Sequence, residues 1–292
     1  MSSRTAAEQT AFGPIVIAAC ERYVPAEQRL LDDDLAARFL PAGQRLVVRA
    51  CRWAPVRRLL VDATERQAKG LWGSVLCRKR YLDDQVRAAF AAGVDQLVVL
   101  GAGLDTRAHR LAVPAGAASF EVDLPANVAD KRRRVRAVLG ERGDEVRLAP
   151  LDLAAEDLVP GLERLGYATD RPAVVVWEAV TQYLTEDAVH RTLAALSALA
   201  TGSRLLFTYV RRDFLDGTHL FDAEPVHRRM TGEHRVWHFG VEAGEVGPLL
   251  SPHGWTEVEQ VGPAEYRARH PEIARRGLSV SEIERCVRAE KR

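Results

Sequence analysis

Gln96-Leu97-Val98-Val99-Leu100-Gly101-Ala102-Gly103-Leu104-Asp105-Thr106 decides the fold class of this 292-residue chain. Residues 97–100 form an apolar, β-branched run too short for a helix, which reads as a buried strand. Two glycines follow at once, and the next segment, 104–111, can start a helix. Strand, glycine turn and helix form the unit with which a parallel α/β sheet presents a small ligand at its carboxyl edge. Glycine suits such a turn because it tolerates positive φ and lets ligand atoms approach the main chain.

The second half of the signal is Ala118-Ser119-Phe120-Glu121-Val122-Asp123-Leu124-Pro125, another short strand that ends in acids. A carboxylate at the tip of the strand after a glycine turn can accept hydrogen bonds from a ribose diol. The dinucleotide fingerprint asks for a third glycine where this chain has Thr106. That departure disfavours NAD and favours a nucleoside-type ligand without a pyrophosphate.

Outside this pair of strands, composition mainly excludes. Lys and Arg total 41 against 40 acids, so the net charge of +1 gives no pull toward nucleic acid or an anionic membrane. Cys20, Cys51, Cys77 and Cys286 form no C-x-x-C pair, which argues against a zinc site or a disulfide framework and for a reduced, cytoplasmic protein. No signal peptide is read in residues 13–20, and no run reaches the ~20 apolar residues of a membrane helix.

In chain order, residues 5–40 and 44–70 read as helical, with a capped helix at 30–40 and a break at Pro55. Residues 80–90 form a helix leading into the glycine strand. No strand is expected before position 96. The expected division is therefore a helical cap at 1–92 over the cofactor edge and a core at 93–292. Further strands are expected at 146–148, 173–177 and 204–210, with helices at 127–139 and 188–200, the latter capped by Thr185. Asp123, Asp152 and Glu178 each close a strand, so a parallel sheet would gather all three on one edge beside the glycines. Residues 211–240 interrupt the pattern with aromatics and four histidines and are expected to form a lid. His234 and His238 are spaced i, i+4 but lack the glutamate of a metalloprotease motif, so no metal is expected. Segments 255–261 and 281–289 suit an antiparallel edge hairpin.

Val99-Leu100-Gly101-Ala102-Gly103-Leu104-Asp105-Thr106-Arg107, Phe120-Glu121-Val122-Asp123-Leu124-Pro125 and Glu178-Ala179-Val180-Thr181-Gln182-Tyr183-Leu184 resemble the leucine carboxyl methyltransferase family. The nearest branch is that of bacterial, polyketide-associated S-adenosylmethionine-dependent methyltransferases. Leu30-Leu31-Asp32-Asp33-Asp34-Leu35-Ala36 and Glu259-Gln260-Val261-Gly262-Pro263 extend the likeness nearly end to end. The resemblance implies a class I methyltransferase: a Rossmann-like α/β sheet of seven strands with helices on both faces and an antiparallel last strand. It also implies a binding set for S-adenosyl-L-methionine. Gly101, Ala102, Gly103 and Asp105 form the methionine-side loop, and Asp123 and Leu124 take the ribose. Asp152 and Leu153 stand beside the adenine, followed by Glu178 and Ala179. An arginine before the first strand meets the methionine carboxylate, Arg80 fitting best and Arg78 being the alternative. Tyr183 stands near the methyl group as the catalytic candidate. Where close relatives show Glu-Gly-Val, this chain has Glu178-Ala179-Val180, and its lid matches nothing in the family pattern.

A sulfonium methyl is already activated, so such an enzyme mainly aligns its reactants and excludes water. The expected reaction is O-methylation of a carboxylate or hydroxyl of a small metabolite in secondary metabolism, by a monomer or homodimer. A carboxylate needs no base. A hydroxyl gains from one, with Tyr183, His227 or His234 as candidates. The alternatives are C- or N-methylation of an aromatic metabolite, an NAD-dependent oxidoreductase, and a non-catalytic scaffold.

Overall fold

The computed structural model describes residues 12–233 and 235–292. The part of the first expected helix at 5–11 and the side chain of His234 lie outside the described residues.

A helical layer precedes the sheet: α1 (Phe12–Glu21), α2 (Ala42–Ala50), α3 (Ala54–Glu65) and α4 (Leu71–Ala91). The helix expected at 30–40 shrinks to the single turn Ala36–Phe39. Asp33 Oδ1 accepts from the N–H groups of Leu35 and Ala36 at 3.1 and 2.8 Å, which starts the turn late, and Pro41 follows immediately. The break expected at Pro55 falls just before it, between α2 and α3, and Pro55 opens α3, where its missing N–H costs nothing in the first turn. At 21 residues, α4 is twice the length expected. Its buried face carries Trp72, Val75, Leu76 and Leu82, but also Arg78, Lys79 and Asp83.

The sheet holds seven strands: β1 (Gln96–Leu100), β2 (Ala118–Asp123), β3 (Val146–Pro150), β4 (Val174–Trp177), β5 (Arg204–Val210), β6 (Trp255–Val261) and β7 (Glu284–Lys291). Their spatial order is β3-β2-β1-β4-β5-β7-β6, with β1 to β5 mutually parallel. The last two strands do pair antiparallel, Trp255 opposite Lys291, but they are not an edge hairpin. β7 inserts between β5 and β6 and pairs with all seven residues of β5, so of these two strands β6 alone is an edge, opposite β3 at the far side of the sheet. β1 and β4 are buried on both faces, as near-continuous apolar runs require. One core joins α1, α4 and their side of the sheet; a second lies beneath α5 (Glu186–Leu196) and includes Phe120, Trp177 and Trp255. Thr185 caps that helix as expected, its side chain accepting from Ala188 N–H.

No helix of the described residues is long and apolar enough to cross a membrane.

Candidate functional site

The register Leu100↔Val122 and Asp123↔Pro150 brings the ends of β1, β2 and β3 to one edge. Ala102 N–H donates to Val122 O at 3.0 Å and holds the glycine turn against β2. Gly101 has φ 64°, and a Cβ there would stand 2.4 Å from Val180, so a side chain is excluded twice. At Gly103 (φ 45°) a Cβ would meet nothing within 4 Å, so the main chain lies open to an incoming molecule. Gly103 N–H donates to Asp123 Oδ2 at 2.6 Å, while Leu124 N–H and Asn127 Nδ2 donate to Oδ1, each at 2.7 Å. Asp123 is thereby oriented, and Oδ2 keeps a lone pair for a further donor.

A recess of about 140 Å³ lies beside this turn, walled by residues 101–105 with Arg78, Lys79, Glu178, Ala179 and Tyr183. The helix expected after the glycines is replaced by an open turn and a short π-type turn, Ala108–Ala112. Asp105, Thr106 and Arg107 are drawn instead into a buried ionic cluster. Arg107 donates to Asp83 Oδ1 at 2.7 Å, to Glu178 Oε2 at 2.5 Å and to Asp105. Arg78 bridges Glu178 Oε1 at 2.8 Å and Glu284 Oε1 at 2.7 Å. Burial pushes the Glu178 carboxyl up, but Arg107, Lys79 and Arg78 together hold it well below the usual carboxylate range. Asp105 is likewise lowered, its burial outweighed by Arg107 and Lys79.

Of the two arginines, only Arg78 faces this recess. Residues two apart on a helix point about 200° away from each other, so only one can face the recess. Arg78 does, whereas Arg80 turns away, 41% exposed, to bond Asp84 Oδ2 at 2.7 Å and Leu30 O. Asp152 and Leu153 are not in the recess walls; Asp152 Oδ1 accepts from Ala154 N–H at 2.9 Å and shapes its own turn. They continue along the same edge, where Leu151 N–H donates to Asp123 O. Among the expected acids, Glu178 lies in the recess, Asp123 at its glycine turn and Asp152 farther along.

Ala179 is left-handed, with φ 57°. Its N–H donates to Thr208 Oγ1 at 2.8 Å, and Thr181 Oγ1 donates to Thr208 O at 2.7 Å, so β5 holds this loop in place. The positive φ explains why glycine suits this position. Ala179→Gly is expected to raise stability by about 1 kcal/mol, read as a melting temperature about 2 °C higher. An unchanged or lower melting temperature would mean that the alanine methyl packs well enough to offset the strain.

Behind Tyr183 lies a larger cavity of about 420 Å³, mainly apolar, between α1, α3, α4 and the 211–240 segment. Phe12, Trp72, Met230, Trp237 and Tyr266 contribute to it. Pro14, Arg78, Ala179 and Tyr183 line both spaces, so the recess and the cavity meet at these side chains. The Tyr183 ring stands edge-on to Trp237 at 6.5 Å. His238 N–H donates to Gln182 O at 2.7 Å and ties the 211–240 segment to the Tyr183 loop. His227 is not in the cavity walls; its ring packs on Phe214 and lies 3.2 Å from Leu215 O. The cavity contains one carboxylate that sequence reasoning missed, Glu284. As the first residue of an alternating strand it carried no signal.

The seven-stranded order with its glycine turn defines a class I methyltransferase fold. A methyltransferase structure from Thermobifida fusca shares it with a TM-score of 0.60 at 22% identity, over 81% of this chain and 88% of that one. A DUF574 family protein from Streptomyces avermitilis gives 0.57 at 16% identity, over 94% and 97%. The leucine carboxyl methyltransferase family model matches residues 11–197. A Mycolicibacterium paratuberculosis relative named as an S-adenosyl-L-methionine-dependent methyltransferase is 31% identical over 89% of this chain and 86% of its own. A Mycobacterium tuberculosis relative of the same name is also 31% identical, over 85% and 83%. The chain therefore belongs to the leucine carboxyl methyltransferase family and is an S-adenosylmethionine-dependent methyltransferase.

Proposed function

We propose that this enzyme methylates an oxygen, a carboxylate or a hydroxyl, of a small apolar metabolite. The observation that carries the reading is the junction of the two spaces at Pro14, Arg78, Ala179 and Tyr183. The open main chain at Gly103 and the oriented Asp123 carboxylate fit the methyl donor, which supplies an activated sulfonium methyl. In this reading residues 101–103 and Asp105 cradle its methionine part and Arg78 faces its carboxylate. Asp123 with Leu124 takes the ribose, Asp152 and Leu153 flank the adenine, and Glu178 and Ala179 close the recess. The apolar cavity desolvates the acceptor and sets its oxygen in line with the methyl group. Residues 211–240 act as a lid through Met230 and Trp237, and Tyr183 orients the acceptor at the junction.

Calorimetric titration with S-adenosylmethionine, S-adenosylhomocysteine and NAD, followed by locating the new methyl group by NMR, tests this. Binding of the first two alone and a methyl group on oxygen are expected; a methyl on carbon or nitrogen would sink the acceptor assignment. Tyr183→Phe is expected to spare methyl-donor affinity and reduce turnover about tenfold or more. Loss of affinity instead would move Tyr183 into the cofactor site.

A further inference from the structure

Resting on that methyl-transfer reading, we propose that Glu284 is the general base of the reaction and that the acceptor oxygen is a hydroxyl, not a carboxylate. Glu284 is the one carboxylate in the walls of the large cavity among the described residues. It opens β7 opposite Val210, and its side chain is 16% exposed. Arg78 places it: the same guanidinium bonds Glu178 on the recess side and Glu284 on the cavity side, at 2.8 and 2.7 Å. The Glu284 carboxylate therefore lies one guanidinium away from the junction where the methyl group is handed over.

The surroundings favour a neutral acceptor over an anionic one. On the cavity side Nη1 of Arg78 is already bound to Glu284, so an acceptor carboxylate placed there would meet Glu284 as a like charge. No histidine lines the cavity among the described residues. Tyr266 O–H is held to Cys286 Sγ at 3.0 Å, and burial and Cys286 keep its proton on. The groups facing Glu284 are Arg78 and Lys79 from α4, Glu178 from the loop after β4, and Tyr266 and Cys286 on its flank. Burial raises the carboxyl of Glu284, Glu178 adds to that, and Arg78 and Lys79 oppose without cancelling it, which makes it a stronger base than an exposed glutamate. In the step, the acceptor O–H gives its proton to Glu284 while its oxygen attacks the methyl carbon. The O–C bond forms, the C–S bond breaks with its electron pair left on sulfur, and the proton passes from Glu284 to solvent.

The test uses 1-naphthol and 1-naphthoic acid, which share one apolar scaffold. Against the full chain with S-adenosylhomocysteine at pH 7, calorimetry is expected to show naphthol binding at least tenfold tighter than naphthoate. With S-adenosylmethionine the product is expected to be the methyl ether. Equal or tighter naphthoate binding, binding of neither, or a methyl ester would overturn the proposal. Glu284→Gln is expected to retain S-adenosylhomocysteine binding and to lower kcat for naphthol ~10²-fold or more at pH 7. It should also lose the wild-type rise of activity with pH through the Glu284 ionisation and recover only as the naphthol ionises, near the phenol value of about 10. An undiminished kcat, or a loss equal at every pH, would overturn the base assignment. Absence of S-adenosylhomocysteine binding by the wild type, or a methyl group on a ring carbon, would instead defeat the underlying reading.

Discussion

Arg107→Met is expected to remove about 3–5 kcal/mol of folding stability at neutral pH, the loss seen when one partner of a buried ion pair is deleted. Arg107 is among the largest fully buried side chains and serves three carboxylates, Asp83, Asp105 and Glu178. Methionine fills much of the volume but leaves those charges without their principal cation. Folding stabilities of about 5–15 kcal/mol make this a large fraction of the total. Urea denaturation reads it, and a midpoint corresponding to less than about 1 kcal/mol would mean that Lys79 and Arg110 suffice to balance the cluster. The pH dependence supplies a second check. In the wild type Asp105 and Glu178 are depressed, so their contribution is complete above the unfolded carboxylate range and is lost as pH falls through the lower folded values. In the variant burial dominates and raises the same carboxyls, so protonation favours the folded state. The deficit should therefore narrow as pH falls.

Asp123→Ala is expected to weaken binding of S-adenosylmethionine and its demethylated product at least 100-fold, with little change in melting temperature. Hydrogen bonds to an ionised group contribute roughly 1.5–3 kcal/mol each, and a ribose diol offers two. The substitution also removes the acceptor that fixes the Gly103 N–H, so the cradle loses its register. Asp123→Asn, which keeps one acceptor oxygen, should fall between the two. Calorimetry decides it: wild-type affinity in the alanine variant would mean that the ribose lies elsewhere on the strand-end edge.

Much of the chemistry in these predictions was legible before any tertiary contact was known. The apolar runs at 97–100 and 173–177 could only be satisfied by strands buried on both faces, and the glycines after the first could only be a turn. Local chemistry also identified the Thr185 cap and the acid at the tip of β2. Other features depended on direction in space. Arg78 and Arg80 are equivalent as letters, and the pitch of α4 sends one into the recess and the other to Asp84. The helix expected after Gly103 loses to a charge cluster whose members are Asp83, Arg107 and Glu178, separated by up to 95 residues along the chain.

By itself, then, the sequence determined the parallel sheet, its glycine turn and the family, because hydrophobic period, turn chemistry and motif spacing are local properties. The tertiary structure alone decided that β7 enters between β5 and β6, which of two arginines faces the recess, and that Glu284 stands in the wall of the apolar cavity. Each of these depends on which strands pair and which helix face is buried, and those choices are settled by packing across the whole sheet.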